Sequence, residues 1–238
     1  QAKVDAIHPG YGFLSENADF AQAVIDAGIR WIGPSPEVMR MLGNKVAARN
    51  AAIAAGVPVM PATDPLPLDL AECKRLAAGI GYPLMLKASW GGGGRGMRVL
   101  ESEQDLEPSL AAARREALAA FGNDEVYLEK LVRNARHVEV QILGDTHGNL
   151  VHLHERDCTV QRRNQKVIER APAPYMDAVG RASLCDAALR LMGAVGYSHA
   201  GTVEFLMDAD TNKFYFIEVN PRIQVEHTVT EMITGIDI

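Results

Sequence analysis

Lys87-Ala88-Ser89-Trp90-Gly91-Gly92-Gly93-Gly94-Arg95-Gly96-Met97-Arg98-Val99-Leu100 contains a run that formally fits GxGxxG, and the residues after its last glycine decide the fold. A dinucleotide site needs a strand, the glycines, and then a helix whose N-terminus faces the pyrophosphate. Here Met97-Arg98-Val99-Leu100 reads as a second strand. A Walker A loop would end in Gly-Lys-Ser/Thr, yet Gly96 is followed by Met97, and the HRD and DFG elements of a protein kinase are absent. What remains is strand, glycine loop, strand. Two readings of it stay open on these residues. One is a surface hairpin, for which four consecutive glycines are a costly construction when Asn-Gly suffices. The other is a loop whose backbone approaches a polyphosphate unobstructed, with Lys87 supplying a nearby cation.

Upstream, residues 4–31 run as a short apolar strand, the turn His8-Pro9-Gly10-Tyr11-Gly12, an acid-rich helix and a second strand, a parallel β-α-β layer. Ser15-Glu16-Asn17 sits where a helix cap belongs, and Gly28 where the helix ends. Residues 37–55 read as one helix closing at Gly56-Val57-Pro58, and prolines 58, 61, 65 and 67 as a linker. A compact α/β module comes next, with helices over 69–78 and 103–120 and strands over 83–89, 97–100 and 126–129. From Arg136 the strands lengthen (137–143, 150–154, 202–207, 214–219), with a helix over 177–195.

The chain is 238 residues long, 47% hydrophobic and 23% charged, an ordinary globular composition. No stretch approaches the roughly 20 apolar residues of a membrane span, and no signal peptide is evident, so a cytoplasmic protein without membrane attachment is expected. Cys73, Cys158 and Cys185 lack CxxC spacing and suggest neither a disulfide framework nor zinc. The net charge of −6 argues against a broad nucleic-acid footprint.

The chemistry concentrates in Phe214-Tyr215-Phe216-Ile217-Glu218-Val219-Asn220-Pro221-Arg222-Ile223-Gln224-Val225-Glu226-His227. Read as one extended strand, it places Glu218, Asn220, Arg222, Gln224 and Glu226 on one face and Val219, Pro221, Ile223 and Val225 on the other. An amphipathic strand with its polar side in water is the ordinary explanation. Phe214 and Phe216 on the polar side argue instead that this face is buried, where charges need partners. Carboxylate and amide oxygens at this spacing suit Mg²⁺, and Glu204, a lone acid in the apolar run Thr202-Val203-Glu204-Phe205-Leu206, offers a second carboxylate. The stretch from Arg156 to Lys166 supplies cations without the interleaved aromatics of a nucleic-acid patch. It reads as a solvated basic loop on its own and as an anion-binding wall beside such a site.

Four segments, His8 to Asn17, Lys87 to Met97, Glu155 to Lys166 and Glu218 to His227, together resemble the biotin carboxylase family of the ATP-grasp superfamily. The likeness covers essentially the whole chain. Ala88-Ser89-Trp90, Arg163-Asn164-Gln165-Lys166 and Glu169-Arg170-Ala171-Pro172-Ala173-Pro174-Tyr175 look most like the branch that carboxylates pyruvate. The resemblance implies an α/β (α+β) ATP-grasp fold. Residues 1–40 would be the end of an N-terminal Rossmann-like α/β domain, 41–60 a linker helix, 61–131 a lid subdomain and 132–238 a truncated antiparallel-sheet subdomain.

It also implies roles. Lys45 and Lys87 would bind ATP phosphates, Gly93 and Gly94 would close over them, and Glu129, Lys130, Leu131 and Val132 would line the adenine, mostly through backbone groups. His137, Gln161 and Asn164 would lie near the ribose and phosphates, some relatives having His at the position of Asn164. Glu204, Glu218 and Asn220 would hold Mg²⁺ or Mn²⁺. Lys166, Arg222, Gln224 and Val225 would bind bicarbonate, Glu226 would be its general base, and Arg222 would steady the biotin enolate. Glu139 would support Lys166 or Arg222. The partners implied are a biotinylated carrier domain and a carboxyltransferase domain outside this segment, in a homo-oligomer. The implied activity is ATP- and bicarbonate-dependent carboxylation of biotin. The alternatives are the equivalent component of an acyl-CoA carboxylase, an ATP-grasp ligase joining a carboxylate to an amine, or a non-catalytic nucleotide-binding module. The ends of the chain read as those of a fragment. His152 and His154, an HxH pair without a third ligand, and Cys158 are expected to be structural.

Overall fold

A computed structural model describes residues 3–90, 97–163 and 165–238. The chain divides into two compact units, one made of Gln1–Gly43, Ala47–Pro58 and Ala135–Ile238, the other of Asn44–Val46 and Val59–Asn134.

The first unit begins with the expected β-α-β layer. Strands β1 (Ala6–Ile7) and β2 (Arg30–Trp31) pair in parallel across helix α1 (Ala18–Asp26). The Asn17 side chain caps α1 by accepting from the Phe20 N–H at 2.7 Å, and Gly28, at φ 74°, carries the left-handed turn beyond its end. Trp31 packs edge-on against Phe20 over Ala21, Val24 and Met39. The single helix expected over 37–55 is two, α2 (Pro36–Gly43) and α3 (Lys45–Ala54). The break falls at Asn44, whose backbone bridges to Trp90, while the Lys45 N–H donates to the Ser89 carbonyl. Backbone groups committed to a strand partner cannot also continue a helical ladder.

The second unit contains helix α4 (Leu70–Ile80), strands β3 (Leu84–Ala88) and β4 (Arg98–Leu100), helix α5 (Leu106–Phe121) and strand β5 (Val126–Lys130). The strands form an antiparallel sheet ordered β4-β3-β5. Leu84, Leu86 and Ala88 alternate inward against Leu106, Leu110 and Ala113, which leaves Met85 and Lys87 on the opposite face. The glycine run, including Gly93 and Gly94, lies outside the described residues. The strands on either side of it pair antiparallel, Leu84 opposite Leu100, so a strand and no helix comes after the run, which is no dinucleotide fingerprint.

The rest of the first unit is a five-stranded antiparallel sheet. It is built from β6 (Ala135–Gly144), β7 (Leu150–Arg162), β8 (Gln165–Arg170), β9 (His199–Asp208) and β10 (Phe214–Asn220), ordered β10-β9-β6-β7-β8. Helix α6 (Ala178–Ala194) packs on it, and helix α7 (His227–Thr234) comes after β10. Val138, Val140, Ile142, Val203 and Phe205 are buried in its core. The basic stretch from Arg156 to Lys166 is the β7-β8 hairpin and no solvated loop, since Arg156 is wholly buried.

Two features expected of residues 214–227 need correction. The strand ends at Asn220, because Pro221 has no N–H for a further ladder bond, and residues 221–226 turn into α7. A bulge also separates Phe216 from Glu218. Phe216 pairs with Phe205 and Glu218 with Glu204, so two residues of β10 oppose one of β9 and the strand's facing inverts between them. Phe216 therefore lies with the apolar core against Phe205, and Glu218 lies on the side of Glu204. The phenylalanines do not share the polar face.

Gly201 on β9 marks a close approach. A Cβ there would come within 2.4–2.7 Å of the hydroxyl end of buried Tyr197, whose hydroxyl donates to the Ala200 carbonyl at 2.9 Å. Gly201→Ala is expected to destabilise the fold by about 1–3 kcal/mol, the usual overpacking cost. A thermal melt checks it, and an unchanged Tm contradicts the packing described.

Candidate active site

Across the polar face of the five-stranded sheet, register lines up Arg156 on β7, Glu139 on β6, Glu204 on β9 and Glu218 on β10, each directly opposite the next. Three carboxylates in neighbouring positions repel one another, which destabilises a sheet unless cations intervene. Glu139 is fully buried and Glu204 is 5% exposed. Arg156 is one such cation, on Glu139, and Lys166 on β8 is another, shared by Glu139 and Glu204. Its Nζ donates to Glu204 Oε1 at 2.9 Å, to Glu226 Oε1 at 2.7 Å and, in a closer contact, to Glu139 Oε2. Glu226 arrives from the turn before α7. The residues read from sequence as one alternating strand thus meet by another route.

The electrostatics reflect this packing. Burial alone would discharge Lys166, but Glu204, Glu139 and Glu226 outweigh it and hold its pKa well above the usual lysine range. Burial alone would raise Glu226, and the charge and hydrogen bond of Lys166 bring it below the usual carboxylate range. Glu204 is likewise lowered against its burial, first by His137 and then by Lys166. His137 Nε2 lies 3.0 Å from Glu204 Oε2 but off the line of a well-formed hydrogen bond. Burial would lower its pKa, and Glu204 turns the net shift upward.

Gln224, 3% exposed, donates to Glu204 Oε1 at 3.2 Å, as Asn220 does at 2.8 Å. Arg222 takes a different course. Its Nε donates to Glu16 Oε1 at 2.5 Å, Nη1 to the Ile223 carbonyl and Nη2 to Asn220 Oδ1. It lines a cavity of about 170 Å³ together with His8 and His199. Glu139 therefore supports Lys166, while Arg222 takes its carboxylate from the turn after the first strand. Val225 is exposed, so any contact it offers is through its backbone or from the surface. Gln161 sits opposite Lys166 in the β7-β8 hairpin and donates to the Cys158 carbonyl. Asn164 lies outside the described residues.

Within the second unit, Lys87, opposite Tyr127, reaches diagonally to Glu129, opposite Met85, on the adjacent strand and forms an ion pair with it, both largely buried. The N–H groups of Lys130 and Leu131 are given to the Pro61 and Pro83 carbonyls, and Lys130 Nζ to the Gly81 and Tyr82 carbonyls. What 130–131 have left for a ligand is therefore chiefly carbonyl oxygen. Lys45 heads α3, with its N–H on Ser89. Val132 lies just past β5, partly buried.

Among the described residues, the groups able to bring three donor atoms around one ion are His137-Glu139-Glu204 and Glu139-Cys158-Glu226. His152 and His154 belong to neither. Cys158 and Cys185 are buried with thiol pKa values pushed up, that of Cys185 to about 12, which makes them poor nucleophiles. Glu218 pairs with Glu204 across β10 and β9, and the Asn220 amide donates to Glu204, so the three residues expected to hold a divalent ion lie on adjoining strand positions. Arg156 is the site residue that the sequence did not single out. It stands in the basic stretch, and nothing in its neighbours announces that it is enclosed.

An antiparallel sheet with carboxylates converging on a buried lysine, carried by a chain that also folds a glycine-linked hairpin unit, has the ATP-grasp architecture. Residues 44–238 match the family model of the carbamoyl-phosphate synthase L chain ATP-binding domain, and residues 1–39 that of the biotin carboxylase N-terminal domain. The chain is 58% identical over 235 residues to the mitochondrial pyruvate carboxylase of Mus musculus, covering 99% of itself and 20% of that protein. It superposes on Rhizobium etli pyruvate carboxylase with a TM-score of 0.93 at 69% identity, covering 98% of this chain and 20% of that one. A third match is the biotin carboxylase domain of Hydrogenobacter thermophilus 2-oxoglutarate carboxylase, a complex with MgADP, ADP and bicarbonate. Its TM-score is 0.94 at 47% identity, with coverage of 98% and 51%. The chain belongs to the biotin carboxylase family. It spans about a fifth of the pyruvate carboxylases it matches and about half of the separate biotin carboxylase domain. Among the described residues no helix is long and apolar enough to cross a membrane.

Proposed function

We propose that this chain carries the bicarbonate-activating site of an ATP-dependent biotin carboxylase, and that the parent enzyme passes the carboxyl group to pyruvate. The observation that carries the reading is Lys166, a buried ammonium shared among Glu139, Glu204 and Glu226. A cation held this way can release part of its coordination to a small anion and regain it when the anion leaves. Bicarbonate is such an anion, and it is bound in the 2-oxoglutarate carboxylase relative.

In this reading Lys166, Gln224, Arg222 and the backbone at Val225 hold bicarbonate. Glu226, its carboxylate accepting from Lys166, is ionised at neutral pH and is the base that takes the bicarbonate proton. The deprotonated bicarbonate then attacks the γ-phosphate of ATP, and the carboxyphosphate formed breaks down to CO₂ and phosphate. The phosphate released takes the N1 proton of biotin, and the ureido enolate so formed, steadied by Arg222, attacks the CO₂ through N1. Lys45, Lys87 and the 129–132 segment serve ATP binding, as do His137, Gln161, Asn164 and the glycines Gly93 and Gly94. Glu204, Glu218 and Asn220 would hold Mg²⁺ or Mn²⁺. A divalent ion there offsets the charge of the phosphate oxygens. Biotin would come on a carrier domain, and a carboxyltransferase domain and a homo-oligomeric assembly complete the proposal. Three buried, unpaired cysteines accord with a reducing, cytoplasmic setting.

ATP cleavage by the full-length protein, measured with and without bicarbonate and free biotin, tests this. Dependence on both is expected. Dependence on an amine would instead favour a carboxylate-amine ligase, and absence of cleavage a nucleotide-binding module.

A further inference from the structure

Arg156 is fully enclosed, and all five of its N–H groups are used. Nε donates to Glu139 Oε1 at 2.7 Å. Nη1 donates to Gln141 Oε1 and to Thr230 Oγ1, both at 2.8 Å. Nη2 donates to Gln224 Oε1 at 3.0 Å and, more weakly, to Thr202 Oγ1 at 3.4 Å. One guanidinium thereby joins β6, β7, β9, the 221–226 turn and α7. Stability alone does not call for it, because a buried ion pair generally stabilises no more than well-packed apolar residues of the same volume.

We infer that Arg156 is a positioning residue that sets the bicarbonate-binding geometry from behind, through Gln224 and Glu139. This rests on the proposed bicarbonate site. With the Gln224 Oε1 drawn to Arg156, its Nε2 is turned outward and lies 3.2 Å from Glu204 Oε1, presenting a donor to the site. With Glu139 Oε1 taken by Arg156, the other oxygen faces Lys166 and fixes its ammonium. Two anion-contacting groups thus take their orientation from one planar fork. A lysine at 156 keeps the charge but has three donors and no fork, so it cannot hold both.

The test uses the full-length protein. Arg156→Lys is expected to raise the KM for bicarbonate about tenfold or more, the scale of losing hydrogen bonds to charged groups, with the KM for ATP changed less than about twofold. Thr230→Val reaches the site only through Nη1 of Arg156, and is expected to shift the bicarbonate KM in the same direction by a smaller factor. If Arg156→Lys does not fold, Thr230→Val decides alone. A folded variant with unchanged bicarbonate KM, or with both KM values rising together, overturns the inference. If the wild-type protein cleaves ATP independently of bicarbonate, the underlying reading has failed, and that is seen before any variant is made.

Discussion

Replacing Glu226 with Gln in the full-length protein is expected to lower bicarbonate-dependent ATP cleavage by about 10²–10⁴-fold, the usual contribution of a positioned general base. The amide keeps the shape and can still accept from Lys166, so the fold should survive. What it cannot do is take the bicarbonate proton. The low pKa that Lys166 imposes on Glu226 has a further consequence. It keeps Glu226 ionised well below neutral pH. The activity of the wild type should therefore hold down to mildly acidic pH and need no group titrating near neutrality at position 226. Turnover of Glu226→Gln within a few-fold of wild type would show that the base lies elsewhere.

Lys166→Gln is expected to abolish the same activity and to destabilise the protein by about 3–5 kcal/mol at neutral pH, the scale of leaving buried charges without their partner. Three carboxylates, Glu139, Glu204 and Glu226, would then face one another across the sheet. The direction of the shifts sets the pH dependence. In the wild type Glu204 and Glu226 titrate below their unfolded values. Their stabilisation is present above about pH 4.5, the ordinary glutamate value, and is lost as pH falls through the folded values. Lys166 is raised, so its contribution is complete below its unfolded value near 10.5 and is lost only as pH rises through the folded one. The gap in stability between wild type and Lys166→Gln should therefore be steady from pH 7 to 9 and narrow on acidification below about 5. Denaturant melts across that range measure it. A gap that stays constant or widens in acid would mean that Lys166 is not the counter-charge of these carboxylates.

Most of the secondary structure was legible because local signals agreed. Asn17 caps α1 in the stretch where the sequence places a cap, and inward alternation in β3 leaves Lys87 off the core face. The strand after the glycines, which separates this fold from a dinucleotide-binding one, is there as β4. What was not legible depended on tertiary pairing. The helix break at Asn44 comes from a backbone bridge to Trp90, far along the chain, which no local pattern encodes. The 214–227 segment does bring Asn220, Gln224 and Glu226 to Glu204 and Lys166, but not through the geometry that alternation suggests. Alternation in a single strand cannot reveal a bulge at 216–218 or a turn after Pro221, since both are settled by what β9 and α7 offer as partners. Arg156 was invisible for the same reason. Its meaning lies in five acceptors from separate segments, and sequence neighbours show none of them.

If the site works as proposed, bicarbonate, and no water molecule, is the nucleophile toward ATP. Isotope transfer from ¹⁸O-labelled bicarbonate during turnover of the full-length protein in unlabelled water, with the released phosphate analysed by mass, decides between them. Attack by bicarbonate leaves its oxygen bridging carbon and phosphorus, and loss of CO₂ then delivers that oxygen to phosphate. Phosphate carrying one ¹⁸O atom is expected. Unlabelled phosphate released at the same rate would show that water is the nucleophile and that this site does not activate bicarbonate.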